Sequence, residues 1–475
     1  MKTVDLNGKP FHFIGVGGIG MSALAYVLTK RELPVSGSDL KSSDITKRLE
    51  SLGAQIFLTQ DASNLEYLSS QNGQKKGQNI DNSSLQVICS TAINANNSEY
   101  QAAIDKGYAI FHRSDLLSAL IQDYESIAVA GTHGKTTTSS LIGYMLVESG
   151  LDPTVVVGGE VQAWNGNARL GLSDFLVAEA DESDGSLVKH CPSMGIITNI
   201  ELDHPDHYTN LEHLVEIFDR FASQSNSVIA CVDCPVVRKY IKADITYSID
   251  AESGADYIAR NILHEPQGSR AQIWENGLLL GEISLLLSGD HNISNALSAI
   301  AVGRKLGLSF EVIAESISTF KGAKRRFEYR GDYKGATLID DYAHHPSEIR
   351  CTLQAARARL PQYQASRVVA IFQPHRYSRT ATFLEEFAQC FEFADVVILT
   401  DIYSAGEVNK TNISGEVLAK TTQKNHGEVI YHPDLSSLSE FLVDFLQPDD
   451  LTLFLGAGNL NQIIPELLDK SLLPA

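Results

Sequence analysis

Ile127-Ala-Val-Ala-Gly-Thr-His-Gly-Lys-Thr-Thr-Thr138 decides the fold of this chain. A short apolar run predicts a buried strand. It ends in Gly131-Thr132-His133-Gly134-Lys135-Thr136-Thr137, and the residues beyond predict a helix over Ser139–Glu148. Strand, glycine loop, lysine, hydroxyl and helix make a cradle for a nucleoside triphosphate, because backbone N–H groups and the helix N-terminus face the phosphates. Lys135 supplies a point charge for the terminal phosphates, and the Thr136 hydroxyl can ligate Mg²⁺. The spacing is short: two residues, not the usual four, separate the first glycine from the Gly-Lys pair. This form makes a generic ATPase a poorer fit and points to a narrower group of enzymes.

Outward from this loop, strand-like and helix-like segments alternate, which predicts an α/β protein with mostly parallel sheets. A length of 475 residues suggests about three domains of roughly 150 residues, placed at 1–122, 123–322 and 323–475. In the first, the strand Phe11–Ile14 enters Gly15-Val16-Gly17-Gly18-Ile19-Gly20. A helix over Met21–Lys30, a strand over Val35–Asp39, a helix over Asp44–Leu52 and a strand over Leu85–Ser90 follow. Ser69–Ser84, rich in Gln, Asn, Gly and Ser, predicts a mobile surface loop without assigned function. The second domain adds strands over Phe175–Glu179 and Met194–Asn199, a helix over Leu211–Phe221 and one running from Asp290-His-Asn292-Ile-Ser-Asn295 to about Leu306. Lys321–Arg326 reads as a hinge. The third repeats the pattern, with Asp340-Asp-Tyr-Ala-His-His-Pro346 and Gln373-Pro-His-Arg-Tyr-Ser-Arg379 at strand ends. Open α/β sheets place ligands at the C-terminal ends of strands.

Composition limits the classes. Hydrophobic residues make up 43% and charged residues 20%, which is ordinary for a globular protein. No apolar run reaches the roughly 18 residues of a membrane span, and the N-terminus lacks the apolar core of a signal peptide. A cytoplasmic enzyme is expected. The net charge of −20 argues against nucleic-acid binding, which needs clustered Lys and Arg. The cysteines Cys89, Cys191, Cys231, Cys234, Cys351 and Cys390 are scattered. Cys231-Val-Asp-Cys234 has neither a second pair for zinc nor a thioredoxin-like context, so reduced thiols are expected.

Gly15-x-Gly17-x-x-Gly20, with Asp39 where a ribose-binding acid belongs, fits a dinucleotide, another diphosphate ligand or simply a tight turn. A second nucleotide loop downstream favours the diphosphate. Glu179-Ala-Asp-Glu182-Ser183-Asp184 and Asn199-Ile-Glu201-Leu-Asp203-His204-Pro-Asp206-His207 crowd carboxylates beyond two core strands. They read either as solvated acidic loops or as a shared Mg²⁺ site, which needs few protein ligands. His344, His345 and His375 invite zinc. Adjacent histidines point apart on most backbones, however, and a third ligand is not evident, so substrate positioning or proton transfer is preferred. Lys324-Arg325-Arg326 and Arg376-x-x-Arg379 are basic forks suited to phosphate or carboxylate.

Taken together, these motifs resemble those of the Mur ligases, the ATP-dependent amide-forming enzymes of peptidoglycan synthesis. His12–Ser22, Ser36–Asp39, Gly131–Thr138, Glu179–Asp184, Asn199–His204, His291–Asn295, Arg325–Glu328, Asp340–Pro346, Phe372–Thr380 and Asp401–Glu407 carry the resemblance, in the family's order. It implies an N-terminal Rossmann-like UDP-binding domain, a central P-loop ATPase domain and a C-terminal Rossmann-like domain that brings the amino acid and closes on ATP. The branch it resembles phosphorylates the lactyl carboxylate of UDP-N-acetylmuramate with ATP and joins it to L-alanine. The implied catalytic set is Lys135, Glu179, His204, His345 and Arg376. Thr136, Glu179 and His204 would hold Mg²⁺. ATP would meet Gly131–Thr137, Asn292, Asn295, Arg326 and Asp340. The UDP-sugar would meet Gly17, Gly18, Ile19, Gly20, Met21, Ser22, Asp39, Ser90, Thr91, Glu182 and Ser183. The amino acid would meet Tyr342, His344, Arg376 and Arg379. Several family members bridge metals with a carbamylated lysine soon after the Asp-His-x-Asp segment. No lysine occurs between Asp206 and Lys239, so this chain is expected to manage without one. The alternatives are the recycling ligase that attaches a tripeptide to the same sugar, a nicotinamide-dependent dehydrogenase that leaves the phosphate loop unexplained, and a nucleotide-sensing module. The complete Lys135, Glu179 and His204 set speaks against the last.

Overall fold

The strand Glu125–Ala130 shows why the chain folds as it does. Its side chains alternate between two cores: Ile127 and Val129 on one face, Ala128 and Ala130 on the other. The first face packs on Leu141, Ile142 and Met145 of the helix Lys135–Glu148 and on Leu297 and Ile300 of the helix Asp290–Lys305. The second packs with Leu214, Phe218 and Phe221 of the amphipathic helix Leu211–Gln224. A strand covered on both faces is apolar where it is covered, as this one is from Ile127 to Ala130. Each fully buried Phe or Leu contributes about 1.5–3 kcal/mol by leaving water.

The computed structural model describes residues 3–72, 85–205, 207–265 and 267–471. Three sheets follow one another along the chain. The first has five parallel strands in the order Gln55–Phe57, Val35–Ser38, Phe11–Ile14, Gln86–Cys89, Ala109–His112. Its order reverses at Phe11–Ile14, so a crevice opens between Gly15–Gly20 and Ser90, the usual ligand position in such sheets. The second sheet has ten strands. Its parallel centre places Glu125–Ala130 between Met194–Ile197 and Phe175–Glu179. Antiparallel strands extend both ends, over Tyr257–Leu285 on one side and Gly166–Arg169 on the other. The third has six strands, parallel except for the hairpin Glu328–Asp341.

The helix after the phosphate loop begins at Lys135 rather than Ser139. Gly134, at φ 80, is its N-cap, so lysine and threonines occupy the first helical turn. Ser69–Asn72 belong to the helix Ala62–Asn72, in place of the expected loop. The remainder of that tract, 73–84, lies outside the described residues, as does Asp206. The segment 321–327 connects the second and third sheets irregularly, with Arg325 at φ 57 and Phe327 at φ 52. Among the described residues, no helix is long and apolar enough to cross a membrane.

Candidate active site

Three adjacent parallel strands end together: Glu125–Ala130 in the phosphate loop, Phe175–Glu179 in one carboxylate cluster and Met194–Ile197 in the other. Gly131, at φ 144, leaves no room for a side chain, since a Cβ there would lie 1.9 Å from Thr198 Oγ1. Lys135 Nζ donates to Gly131 O (2.7 Å) and Thr132 O (3.1 Å) and pairs with Glu182 at 2.8 Å. Burial works against its charge, but Glu182, Asp181 and Glu179 outweigh burial and raise its pKa above the ordinary value. Thr136 Oγ1 donates to Glu179 Oε2 at 2.9 Å, and that oxygen also accepts Gly158 N at 2.7 Å.

His204 sits in the left-handed region at φ 53, and its N–H donates to Asp203 Oδ1 at 2.6 Å. Burial lowers its imidazole pKa. Asp203 is gripped from the third sheet's side by Arg379, through Nε to Oδ1 at 2.8 Å and Nη2 to Oδ2 at 3.1 Å. Burial opposes the Asp203 charge, yet Arg379 and His204 hold its carboxyl well below the usual range.

A cavity of about 770 Å³ is lined from all three sheets: Gly18, Ile19, Gly20, Met21 and Ser90, then Lys135, Thr136, Glu179, Ser183 and His204, then Arg326, Tyr342 and His344. A second, of about 480 Å³, is lined by His133, Gly134, Thr137, Asn292, Asn295 and Arg326. The two share Gly134, Arg326 and Glu348, so the phosphate loop separates them.

Several expected residues stand elsewhere. Asp340 is fully buried and tied to Arg325 (3.4 Å) and Arg330 (3.1 Å), whereas its neighbour Asp341 lines the second cavity. Burial pushes the Asp341 carboxyl up to about 6, against the pull of Arg326. Ser22 donates to Ile19 O and accepts Asn167 Nδ2 (3.0 Å), so its hydroxyl serves the contact between first and second sheets. Asp39 Oδ2 accepts Gly17 N at 2.9 Å and braces the glycine loop. Thr91 is exposed and Glu182 is buried under Lys135. Arg376 and Arg379 line neither cavity. Arg379 is 2% exposed with its fork on Asp203, and Arg376 Nη1 lies 3.6 Å from Glu407. His345 turns away from His344 to lie beside His133, the rings tilted by 38° with 4.7 Å between centroids. His344 faces His375 at 6.0 Å.

Arg113 escaped the sequence reading. It lines the first cavity beside Gly20 and pairs with Asp181 at 2.9 Å. Its place directly after the strand Ala109–His112, two strands from the glycine loop, was the available signal.

Consecutive stretches match three family profiles: "Mur ligase family, catalytic domain" over residues 10–125, "Mur ligase middle domain" over 129–303, and "Mur ligase, glutamate ligase domain" over 325–458. The chain belongs to the Mur ligase family. Similar proteins include the UDP-N-acetylmuramate–L-alanine ligase of Gloeothece citriformis, 62% identical over 98% of this Mur ligase and 99% of its relative. That of Microcystis aeruginosa is 60% identical over 98% and 97%. Among solved structures, the UDP-N-acetylmuramate–alanine ligase of Thermotoga maritima superposes with a TM-score of 0.80 at 27% identity, over 97% of this Mur ligase and 99% of that chain. A murein peptide ligase from Psychrobacter arcticus shares the fold, with a TM-score of 0.72 at 24% identity over 98% and 100%.

Proposed function

We propose that this Mur ligase uses ATP to join L-alanine to the lactyl carboxylate of UDP-N-acetylmuramate, releasing ADP and phosphate, as a soluble cytoplasmic step of peptidoglycan synthesis. The reading is carried by one observation: a single cavity is lined by the diphosphate-type glycine loop, the phosphate-loop lysine and the third sheet's Tyr342 and His344. The near-full-length identity to L-alanine ligases supports the choice of branch. The units 1–122, 123–322 and 323–475 take the UDP-sugar, ATP and the amino acid respectively.

ATP lies along the second cavity with its base toward Asn292 and Asn295 and its phosphates over Gly131–Thr137. Asp341, beside Arg326, takes the third-domain contact first expected of Asp340. Lys135 exchanges its bonds to loop carbonyls for the terminal phosphates. The lactyl carboxylate attacks the γ-phosphorus, ADP leaves, and the acyl phosphate forms. The alanine amine then attacks the acyl carbon, and the tetrahedral intermediate expels phosphate. Positioning and electrostatics carry most of such a reaction, because it brings negative charges together.

Thr136 and Glu179 suit Mg²⁺: hard oxygen donors 2.9 Å apart on a cavity wall, with His204 lining the same cavity. When bound, the ion would screen the phosphate and carboxylate charges. Gly18–Met21, Ser90 and Ser183 face the sugar diphosphate, and Arg113 joins them. Tyr342 and His344 face the amino acid, and Arg376, outside the cavity, reaches its carboxylate after a side-chain swing. Burial lowers the His344 pKa to about 4, so its ring is neutral at pH 7 and offers the amino acid a hydrogen-bonding partner rather than a charge.

The test is phosphate release from ATP and UDP-N-acetylmuramate with L-alanine, glycine, L-serine or the tripeptide in separate reactions. Strong dependence on L-alanine is expected. Dependence on the tripeptide alone would move the chain to the recycling branch, and no amine-dependent release would overturn the reading.

A further inference from the structure

On the wall of the second cavity, the phosphate loop meets the third sheet's helix Pro346–Ala358 through side chains to which the reaction steps above give no role. One ring nitrogen of His133, one of His345 and a carboxylate oxygen of Glu201 lie within 4.8 Å of one another. His133 and Glu201 come from the phosphate-loop domain, and His345 from the cap of that helix. We propose that His133, Glu201 and His345 form a binding site for a borderline transition-metal ion of the Zn²⁺ class, distinct from the Mg²⁺ position, which fastens the third domain to the phosphate loop.

The donor set matches the chemistry. Two imidazoles, one carboxylate and a water are a common tetrahedral zinc shell, with bonds of about 2.0–2.2 Å. The outer partners that orient such ligands are also present. His133 Nδ1 donates to Glu348 Oε1 at 3.2 Å, leaving Nε2 directed at Glu201 Oε2 at 2.9 Å. A histidine held by a carboxylate on one nitrogen and a metal on the other is the usual arrangement. Ser347 Oγ donates to Glu201 Oε1 at 2.6 Å, which fixes the second ligand.

His345 supplies the independent observation. The residue is 2% exposed, and its Nε2 is buried without a hydrogen-bond partner. Buried polar nitrogens are rarely left so, because the unmade bond costs about 1–3 kcal/mol. Its Nδ1 caps the helix Pro346–Ala358, accepting Ser347 N at 3.4 Å and the Glu348 backbone N–H. Coordination through Nε2 puts the hydrogen on Nδ1, so the metal–nitrogen bond forms in exchange for this cap. On the other side, the metal takes the place of the proton between His133 and Glu201. The ring contact at 4.7 Å closes slightly to bring the three donors into one shell.

Mg²⁺ prefers oxygen ligands and near-octahedral geometry, so it should not compete well here. The ligands span two domains, and His133 lies in the loop that must rearrange around ATP, so occupancy holds the interface shut and slows turnover.

The experiment titrates metal-free protein, in excess Mg²⁺, with Co²⁺ and then Zn²⁺. A tetrahedral Co²⁺ visible absorption that saturates at one ion per chain and is displaced by Zn²⁺ is expected. His345→Gln and Glu201→Gln should each lower the affinity at least about tenfold, and Glu348→Gln about tenfold through His133. Circular dichroism establishes that each variant is folded. Should one fail to fold, the other carries the test. Unchanged Co²⁺ binding in folded variants overturns the proposal. So does a thiolate charge-transfer band abolished by Cys231→Ser or Cys234→Ser, since those cysteines border the second cavity.

Discussion

Lys135 is the residue on which most of the proposed chemistry turns. Its ammonium is already committed to two loop carbonyls and Glu182. Removing it abolishes the counter-charge for the terminal phosphates and leaves Glu182, 1% exposed, without its cation. Lys135→Ala is therefore expected to abolish phosphate release while calorimetry still detects UDP-N-acetylmuramate on the first domain. Near-normal release by this variant would sink the ATP assignment. Arg376 and Arg379, three positions apart, should behave differently. Arg376→Ala is expected to raise KM for L-alanine more than KM for ATP, and equal changes would remove it from the amino-acid pocket. Arg379 is buried against Asp203, and truncating one partner of a buried pair leaves an uncompensated charge. Arg379→Ala should destabilise the protein by about 3–5 kcal/mol in denaturant titrations. A loss below about 1 kcal/mol would mean that Asp203 finds another partner.

At the scale of elements, legibility in the sequence followed local pattern. The strand Glu125–Ala130 and its glycine loop are readable because a strand buried on both faces is apolar where it is covered and a loop this tight must be glycine. The antiparallel extension Tyr257–Leu285 was missed: its strands bury only alternate residues, and Leu278 and Leu279 are exposed, so apolar content no longer marks the core. The choice between Asp340 and Asp341 was equally hidden. Successive strand residues face opposite ways, and only the position of the second cavity decides which carboxylate lines it. Arg379 read as a ligand fork because nothing local reveals Asp203, 176 residues away. The short helix Ser186–Lys189 ends in His190, which carries a pH consequence. His190 is buried, its Nδ1 has no partner, and burial lowers its imidazole pKa from 6.5 to about 4. The unfolded chain thus binds the proton more readily, so stability is complete above pH 6.5 and is lost as the pH falls toward 4. Denaturation midpoints measured from pH 7 to 4 should fall more steeply for the parent than for His190→Gln. Parallel curves would show that other groups govern the acid limb.

For the molecule as a whole, the reaction needs three substrates brought together from three sheets, and the contacts between the second and third sheets decide when that happens. Ser347 reaches Glu201 (2.6 Å), Arg379 holds Asp203, and Arg359 donates to Ser288 Oγ (2.7 Å) and Leu286 O (2.9 Å) while lying 4.8 Å above the Phe327 ring. The Asp203 contact fixes the backbone next to His204, so the third domain helps to build the site it closes. Such closures commonly gate turnover. Arg359 is the cleanest handle, because it grips the second domain from the wall of the second cavity through Ser288 and Leu286 rather than through the phosphate loop. Arg359→Met keeps an unbranched side chain but removes both hydrogen bonds and the guanidinium that lies over Phe327. Small-angle scattering should then show an expanded radius of gyration without ligands, recovered when ATP and UDP-N-acetylmuramate add their own contacts across the interface. Turnover should fall mainly through a higher KM for ATP, since an open population lowers apparent affinity by the fraction that remains competent. Identical scattering of variant and parent would show that these two bonds do not hold the domains together. An unchanged radius in the parent with and without ligands would remove closure from the mechanism altogether.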